Sequence, residues 1–268
     1  MQAKLIFIEG LPGSGKTTMS GKLYESLRQI CNNVKVYLEG DLPNPINFSG
    51  FACLNHKEFD YICNKYKDIN FNNALWGKDY VLVPYAVFKT RFKETEKYNT
   101  ELQSFLRTKE FCYKPSSPIS INRYKEIMTD RWYQFIKNVM PSDVKIFDGD
   151  FFQHPIDDML YNYNASIKQV IDYLLNIGDI IKNINSKLFY ISQNNIEDSL
   201  SRIAEERKQY IYTDPKMIRH WKKRKIIEFK AMSKLSLHSC VIDNSNYDWD
   251  NVFSTITNSI YNVGNINR

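Results

Sequence analysis

The chain has 268 residues, 43% hydrophobic and 25% charged, with a formal net charge of +6. That balance excludes an intrinsically disordered chain, and no apolar run approaches the roughly 20 residues that a membrane-spanning helix needs. The mild positive charge suits a protein that handles anions, and by itself it does not imply nucleic acid.

Five short apolar runs without alternation read as buried strands, at residues 5–9, 34–39, 144–148, 188–192 and 240–243. Helical patterns lie between most of them. The first leaves a glycine-rich loop and runs to about residue 30, with Met19, Leu23, Leu27 and Ile30 on one stripe. A second covers roughly 122–139, with Tyr124, Met128, Phe135 and Val139 on a face and Pro141 beyond its end. A third covers roughly 165–185, lined by Ile167, Val170, Ile171, Leu174, Ile181 and Ile184 and weakened by Gly178. A fourth starts at Asn195, an N-cap, with Glu197 and Asp198 in its first turn, where carboxylates favour the helix dipole. A basic helix spans about 215–235, and the last helix runs from about 249 to 260. Strands alternating with helices predict one parallel sheet with helices on both faces.

The stretch 42–143 breaks this rhythm. A plain crossover between parallel strands needs only a dozen or so residues, whereas this one holds half of the chain's aromatic residues. It reads as a folded insertion, placed beside a strand end where ligands of open α/β sheets bind. Its expected role is substrate binding, with a purely stabilising insert as the bland alternative. The domain expectation is thus one domain over 1–268 with an insertion at 42–143.

Gly10-Leu11-Pro12-Gly13-Ser14-Gly15-Lys16-Thr17-Thr18 contains the full G-x-x-x-x-G-K-[ST] motif, between an apolar strand and an amphipathic helix. The glycines let backbone N–H groups turn inward around phosphates, and the helix N-terminus adds its partial positive charge. Lys16 is expected on the β- and γ-phosphates, and the Thr17 hydroxyl on Mg²⁺. No Asn-Lys-x-Asp guanine motif is present, which argues against a GTPase and for ATP.

Gly10–Thr18, Glu39-Gly40-Asp41, Asp148-Gly149-Asp150, Arg202 and Arg207 together resemble the nucleoside and nucleotide kinase group of phosphate-loop proteins, which includes thymidylate kinase and the deoxynucleoside kinases. The resemblance covers about half of the chain and is closest to bacterial members of unassigned substrate. It implies a three-layer phosphate-loop NTPase fold with a five-stranded sheet in order 2-3-1-4-5. It implies an acidic residue at the end of the second strand acting as base, Glu39 ahead of Asp41. A carboxylate there orients the nucleophile toward the γ-phosphorus, and the bland alternative is a strand-end turn. Asp148, with Thr17, is the expected Mg²⁺ ligand, and Asp150 lies nearby. Arg202 and Arg207 would belong to a lid over about 195–235 that closes on the phosphates, or, with Glu205 and Glu206, form a salt-bridged surface. Asn244 occupies the position where these kinases pack the nucleotide base. The resembling kinases carry an arginine where this chain has Gly149, so a nucleoside or nucleotide acceptor does not follow. His154 reads as a turn residue before Pro155. The basic run Lys222–Lys225 reads as a solvated face with some pull on anions.

The expected function is an ATP- and Mg²⁺-dependent phosphotransferase acting on a hydroxyl or phosphate group of a small molecule. Two alternatives stay open: a nucleic-acid end kinase or tRNA-modifying kinase, and a non-catalytic nucleotide-binding regulator, against which the acidic residues argue. Kinases of this type often pair, which leaves a homodimer open. The five cysteines contain no CxxC pair and read as free thiols of a reducing compartment. Cys53, His56 and Cys63 lack a fourth ligand at zinc spacing. With strand 5–9 running straight into the loop, no room is left for a cleavable signal, and a cytoplasmic location is expected.

Overall fold

A computed structural model describes residues 4–41, 44–85, 96–113 and 118–261. Residues 42, 43, 86–95 and 114–117 of the expected insertion lie outside the described residues. In chain order the elements are β1 (Lys4–Gly10), α1 (Lys16–Leu27), β2 (Val34–Tyr37), β3 (Phe51–Leu54), α2 (His56–Lys65), β4 (Leu75–Trp76), β5 (Val81–Pro84), α3 (Glu96–Thr108), α4 (Ile121–Lys137), β6 (Val144–Asp148) and α5 (Gln153–Asp157). A π-helical turn (Asp158–Asn162) follows, then α6 (Ile167–Ile181), β7 (Asn185–Ser192), α7 (Ile196–Arg207), a 3₁₀ turn (Tyr210–Thr213), α8 (Pro215–Met232), β8 (His238–Asp243) and α9 (Trp249–Tyr261). The chain divides into two compact units.

The first unit comprises Met1–Asp41, Asn138–Ile156 and Ile167–Arg268. Its five parallel strands run β2-β6-β1-β7-β8, which is the expected 2-3-1-4-5 order when the strands of this sheet are numbered among themselves. β1 lies in the centre because it is apolar on both faces, and Leu5, Ile6, Phe7 and Ile8 are all 1% exposed or less. Its alternate residues serve two layers. Ile6 and Ile8 pack with Met19, Leu23 and Leu27 of α1 and with Val252, Ile256 and Ile260 of α9. On the other face Phe7 stacks on Phe147 at 5.3 Å, and Phe147 on Tyr37 at 4.9 Å. Burying each such ring stabilises by about 1.5–3 kcal/mol.

The register brings Asp148 of β6 opposite Ile8 of β1, and Ile191 of β7 opposite Gly10. The strand ends that follow Ile8 and Asp148 therefore share one edge with the glycine-rich loop. β2 stops at Tyr37, two residues short of the expected end, because Leu38 N–H donates to Asp41 Oδ2 at 3.1 Å and Asp41 N–H returns to Leu38 O at 3.0 Å. α1 also ends early. Ile30, expected on its apolar stripe, is 63% exposed, beyond a tightened last turn in which Ile30 N–H donates to Leu27 O. Val139 likewise falls past the end of α4. Asn195 caps α7 as expected, its side chain accepting from Asp198 N–H at 3.3 Å.

The second unit comprises Leu42–Lys137 and Asp157–Ser166. Its antiparallel sheet runs β3-β5-β4, and its core joins Ala52, Leu54, Val81 and Val83 to Phe59 and Ile62 of α2 and to Leu102 and Leu106 of α3. α2 opens with a capping box in which Asn55 and Glu58 exchange side-chain and backbone hydrogen bonds, both 2.9 Å. Asp157–Ser166 joins this unit through Asp158. Its buried carboxylate accepts from Tyr113 N–H at 2.6 Å, Asn162 Nδ2 at 2.6 Å and Tyr124 Oη at 3.2 Å. Burial still pushes the Asp158 pKa up, to about 7. Among the described residues, no helix is long and apolar enough to cross a membrane.

Candidate active site: the phosphate loop and its carboxylates

The loop between β1 and α1 is shaped by glycines at left-handed φ. Gly13 has φ +78° and Gly15 has φ +90°, a region that L side chains rarely enter. Gly15 is also closed off sterically, since an added Cβ would lie 2.1 Å from Cζ3 of Trp249. Gly15 occupies the N-cap of α1 with no side-chain cap. The first N–H groups of the helix are thereby left for an anion. Lys16 is 6% exposed, and its Nζ reaches back to Leu11 O at 3.4 Å.

Thr17 Oγ1 donates to Asp148 Oδ2 at 2.6 Å, and Glu39 N–H approaches the same oxygen at 3.4 Å. The other oxygen, Asp148 Oδ1, is buried with no hydrogen-bond partner. Burial raises the Asp148 pKa above the ordinary carboxylate value, opposed by the Lys16 charge and the Thr17 hydrogen bond. A buried carboxylate oxygen left open beside a hydroxyl on the phosphate loop fits Mg²⁺, which takes few protein ligands and keeps waters and phosphate oxygens. Among the described residues no cluster of three or more His, Cys, Asp or Glu could hold a metal ion.

Glu39 follows β2 and faces solvent. Its Oε1 accepts from Gln153 Nε2 at 2.7 Å. Partial enclosure pushes its pKa up, but the Lys16 charge and the Gln153 hydrogen bond outweigh this and hold the carboxyl below its ordinary value. It is therefore ionised at neutral pH, as a base must be.

Pro12, Gly13, Thr18, Arg202 and Arg207 line one cleft with Lys16, Thr17 and Glu39, about 280 Å³ in volume. Arg202 spans it, donating to Gly13 O at 2.8 Å and Glu206 Oε1 at 2.7 Å, with its guanidinium 4.4 Å from the Tyr247 ring centroid. Arg207 donates to Tyr212 Oη at 3.4 Å. Ser14 is buried in the loop, and Gly10 O faces Arg224.

Of the expected site residues, Gly10, Ser14, Asp41, Asp148, Asp150 and Asn244 are not part of this cleft's lining. Asp41 is exposed and occupied in the turn after β2. Asp150 is buried, and its Oδ1 lies 3.0 Å from His154 Nε2. Burial depresses the His154 pKa to about 3, so the imidazole is neutral and donates to Asp150; it is a buried partner rather than a turn residue. Asn244 is 1% exposed, its N–H bonded to Ser192 O at 2.8 Å and its side-chain amide buried without a partner.

Several residues at the site were not among those expected. Trp221 and Trp249 line the cleft, as does Gln153. Glu9, the last side chain of β1 before the loop, is fully buried and accepts from Phe151 N–H at 2.8 Å. Its pKa is pushed up to about 8, by burial first and then by Glu228, against the pull of Phe151 N–H, Arg224 and Lys16. The signal for it was an acid closing an apolar strand, as at Asp148. The expected solvated face over Lys222–Lys225 is corrected in part. Arg224 is 1% exposed, Lys222 pairs with Glu197 at 2.5 Å, and Lys225 donates to Gln193 O at 2.7 Å. Helical spacing explains the inward turn, because Trp221, Arg224, Ile227 and Glu228 share the buried face of α8.

The glycine-rich loop, the central β1 and the parallel strand order define a phosphate-loop NTPase fold of the kinase type. No family model and no curated protein matches the chain. Among solved structures it is similar to YorR from Bacillus subtilis in complex with phosphorylated GDP, at 13% identity over 96% of this chain and 95% of that one, with a TM-score of 0.45. It is also similar to thymidylate kinase from Ehrlichia chaffeensis, at 13% identity over 97% and 100%, with a TM-score of 0.44. Deoxyadenosine kinase from M. mycoides with bound dCTP gives 15% identity over 96% and 99%, with a TM-score of 0.44.

Proposed function

We propose that the protein is an ATP-dependent phosphotransferase that moves the γ-phosphate of ATP to a hydroxyl or phosphate group of a small-molecule acceptor. The observation that carries this reading is the Thr17–Asp148 pair, with its open carboxylate oxygen, beside Glu39 and Lys16. In this reading Lys16 neutralises the β- and γ-phosphates and Glu39 accepts the proton of the attacking hydroxyl. Mg²⁺, held by Thr17 and Asp148, supplies charge neutralisation on the phosphates. Arg202 and Arg207 close with the lid over 195–235, and Asn244 packs the nucleotide base. The aromatic insertion over 42–143 is assigned the acceptor.

The test is ADP release measured across a panel of small-molecule acceptor classes, with ATP affinity measured in parallel. One class raises ADP release and gains phosphate if the reading holds. Tight ATP binding with no phosphorylated acceptor would sink it.

A further inference from the structure

Arg224 belongs to α8, yet its guanidinium lies under the phosphate loop. Its Nε donates to Glu228 Oε1 at 2.6 Å, and both side chains are fully buried. Glu228 is held in turn by Tyr190 Oη at 2.5 Å. Arg224 Nη2 points the other way, toward Gly10 O at 3.4 Å and Gln153 Oε1 at 3.3 Å. The opposite end of the same amide, Gln153 Nε2, donates to Glu39 Oε1 at 2.7 Å. A continuous line of hydrogen bonds therefore runs Tyr190, Glu228, Arg224, Gln153, Glu39.

The direction of this line is dictated by chemistry. A guanidinium only donates and an ionised carboxylate only accepts. An amide between them has one satisfactory orientation, oxygen toward Arg224 and nitrogen toward Glu39. Gly149 keeps the passage open, since an added Cβ would lie 3.1 Å from Lys16 Cε and 3.4 Å from Gln153 Oε1. The Arg224 guanidinium also lies 5.3 Å from the Trp221 ring centroid, and Trp221 lines the phosphate cleft.

We propose that Gln153 is a positioning residue for Glu39 and that Arg224 sets the orientation of the Gln153 amide, so that a network running from the buried Arg224–Glu228 pair out to the cleft aims the base at the nucleophile. This rests on the reading of Glu39 as the base. Gln153 lines the cleft, and in this scheme its amide acts on the reaction through the hydrogen bond to Glu39. Misplacing a catalytic group by about 1 Å costs on the order of 10²-fold in rate.

The experiment uses the full chain with MgATP and water as the acceptor, comparing Gln153→Met, Glu39→Gln and the double variant. Methionine keeps the length and removes the amide. If its unfolding midpoint falls, Gln153→Ala stands in. Expected are a loss in kcat of about 10²-fold, a KM for ATP within about twofold of the parent, and a double variant no slower than Glu39→Gln alone. A kcat that does not change, a change confined to KM, or losses that multiply in the double variant would overturn the proposal. Turnover that is undetectable, or that survives Glu39→Gln, leaves the base itself unproven. In that case a crystal structure of Gln153→Met decides the positioning. Displacement of the Glu39 carboxylate with the loop unchanged supports it, and a carboxylate that stays in place overturns it.

Discussion

Thr17 Oγ1 donates to Asp148 Oδ2 at 2.6 Å across 131 residues of sequence, and the second carboxylate oxygen is buried without a partner. One contact thus joins the phosphate loop to the end of β6 while leaving a ligand position open. Burying an unpaired carboxylate oxygen is costly unless a cation or donor reaches it.

Thr17→Val should weaken MgATP more than metal-free nucleotide. The substitution keeps the shape and removes a hydrogen bond to a charged group, worth about 1.5–3 kcal/mol. Titration calorimetry with Mg²⁺ and with a chelator separates the two effects. Equal weakening in both conditions would deny Thr17 a role toward the metal.

Glu39→Gln should lower turnover by roughly 10²- to 10⁴-fold, the range of general-base contributions, while ATP affinity stays near that of the parent. That split marks an interaction made in the transition state. Parallel loss of binding and turnover would instead mark Glu39 as part of the nucleotide site.

Gly15→Ala should disable the loop. The residue has φ +90° and its new methyl would collide with Trp249 at 2.1 Å. Forcing a side chain into such a backbone costs about 1–3 kcal/mol, with the displacement of an indole added. A lower unfolding midpoint and a changed tryptophan fluorescence response to ATP are expected, and an unaltered melting curve would contradict the packing described.

Glu9→Gln should flatten the pH dependence of stability. The Glu9 pKa is raised on folding from 4.5 to about 8, so the folded protein holds a proton that the unfolded chain has released. The stabilisation from this group is complete below pH 4.5 and is lost as pH rises toward 8. Glutamine imitates the neutral acid and does not titrate. Urea midpoints of parent and variant should diverge above pH 5, the parent falling; parallel curves from pH 5 to 9 would show that Glu9 does not carry the effect.

Much of this was legible in the sequence, for local reasons. Gly10 to Thr17 reads as a phosphate loop because glycine spacing and a neighbouring strand and helix are short-range properties. β1, β6 and β7 announce themselves because a strand covered on both faces must be apolar throughout, whereas the edge strands β2 and β8 are partly exposed. Asn195 reads as a cap because its partner is three residues away. The residues missed depend on distant partners. Arg224 looked like one charge in the solvated run Lys222–Lys225, and only packing of α8 against the first unit's interior turns it inward, where Glu228 neutralises it. Gln153 has no signal of its own, since an amide acquires direction only from what lies on each side. Asp157–Ser166 joins the second unit through hydrogen bonds from Tyr113 N–H and Tyr124 Oη to Asp158 that no local pattern predicts.

The sequence by itself determined the class of fold and the place of the glycine-rich loop, because both follow from backbone geometry and hydrophobic period. The tertiary structure decided which carboxylates lie at the glycine-rich loop and which are engaged elsewhere. Asp148 and Glu39 converge on the loop because parallel register brings the ends of β1, β2 and β6 to one edge. Asp150 is turned to His154, and Asp41 closes a turn. Carboxylates of equal charge and similar spacing in the chain thereby acquire different environments, which is a property of packing rather than of sequence.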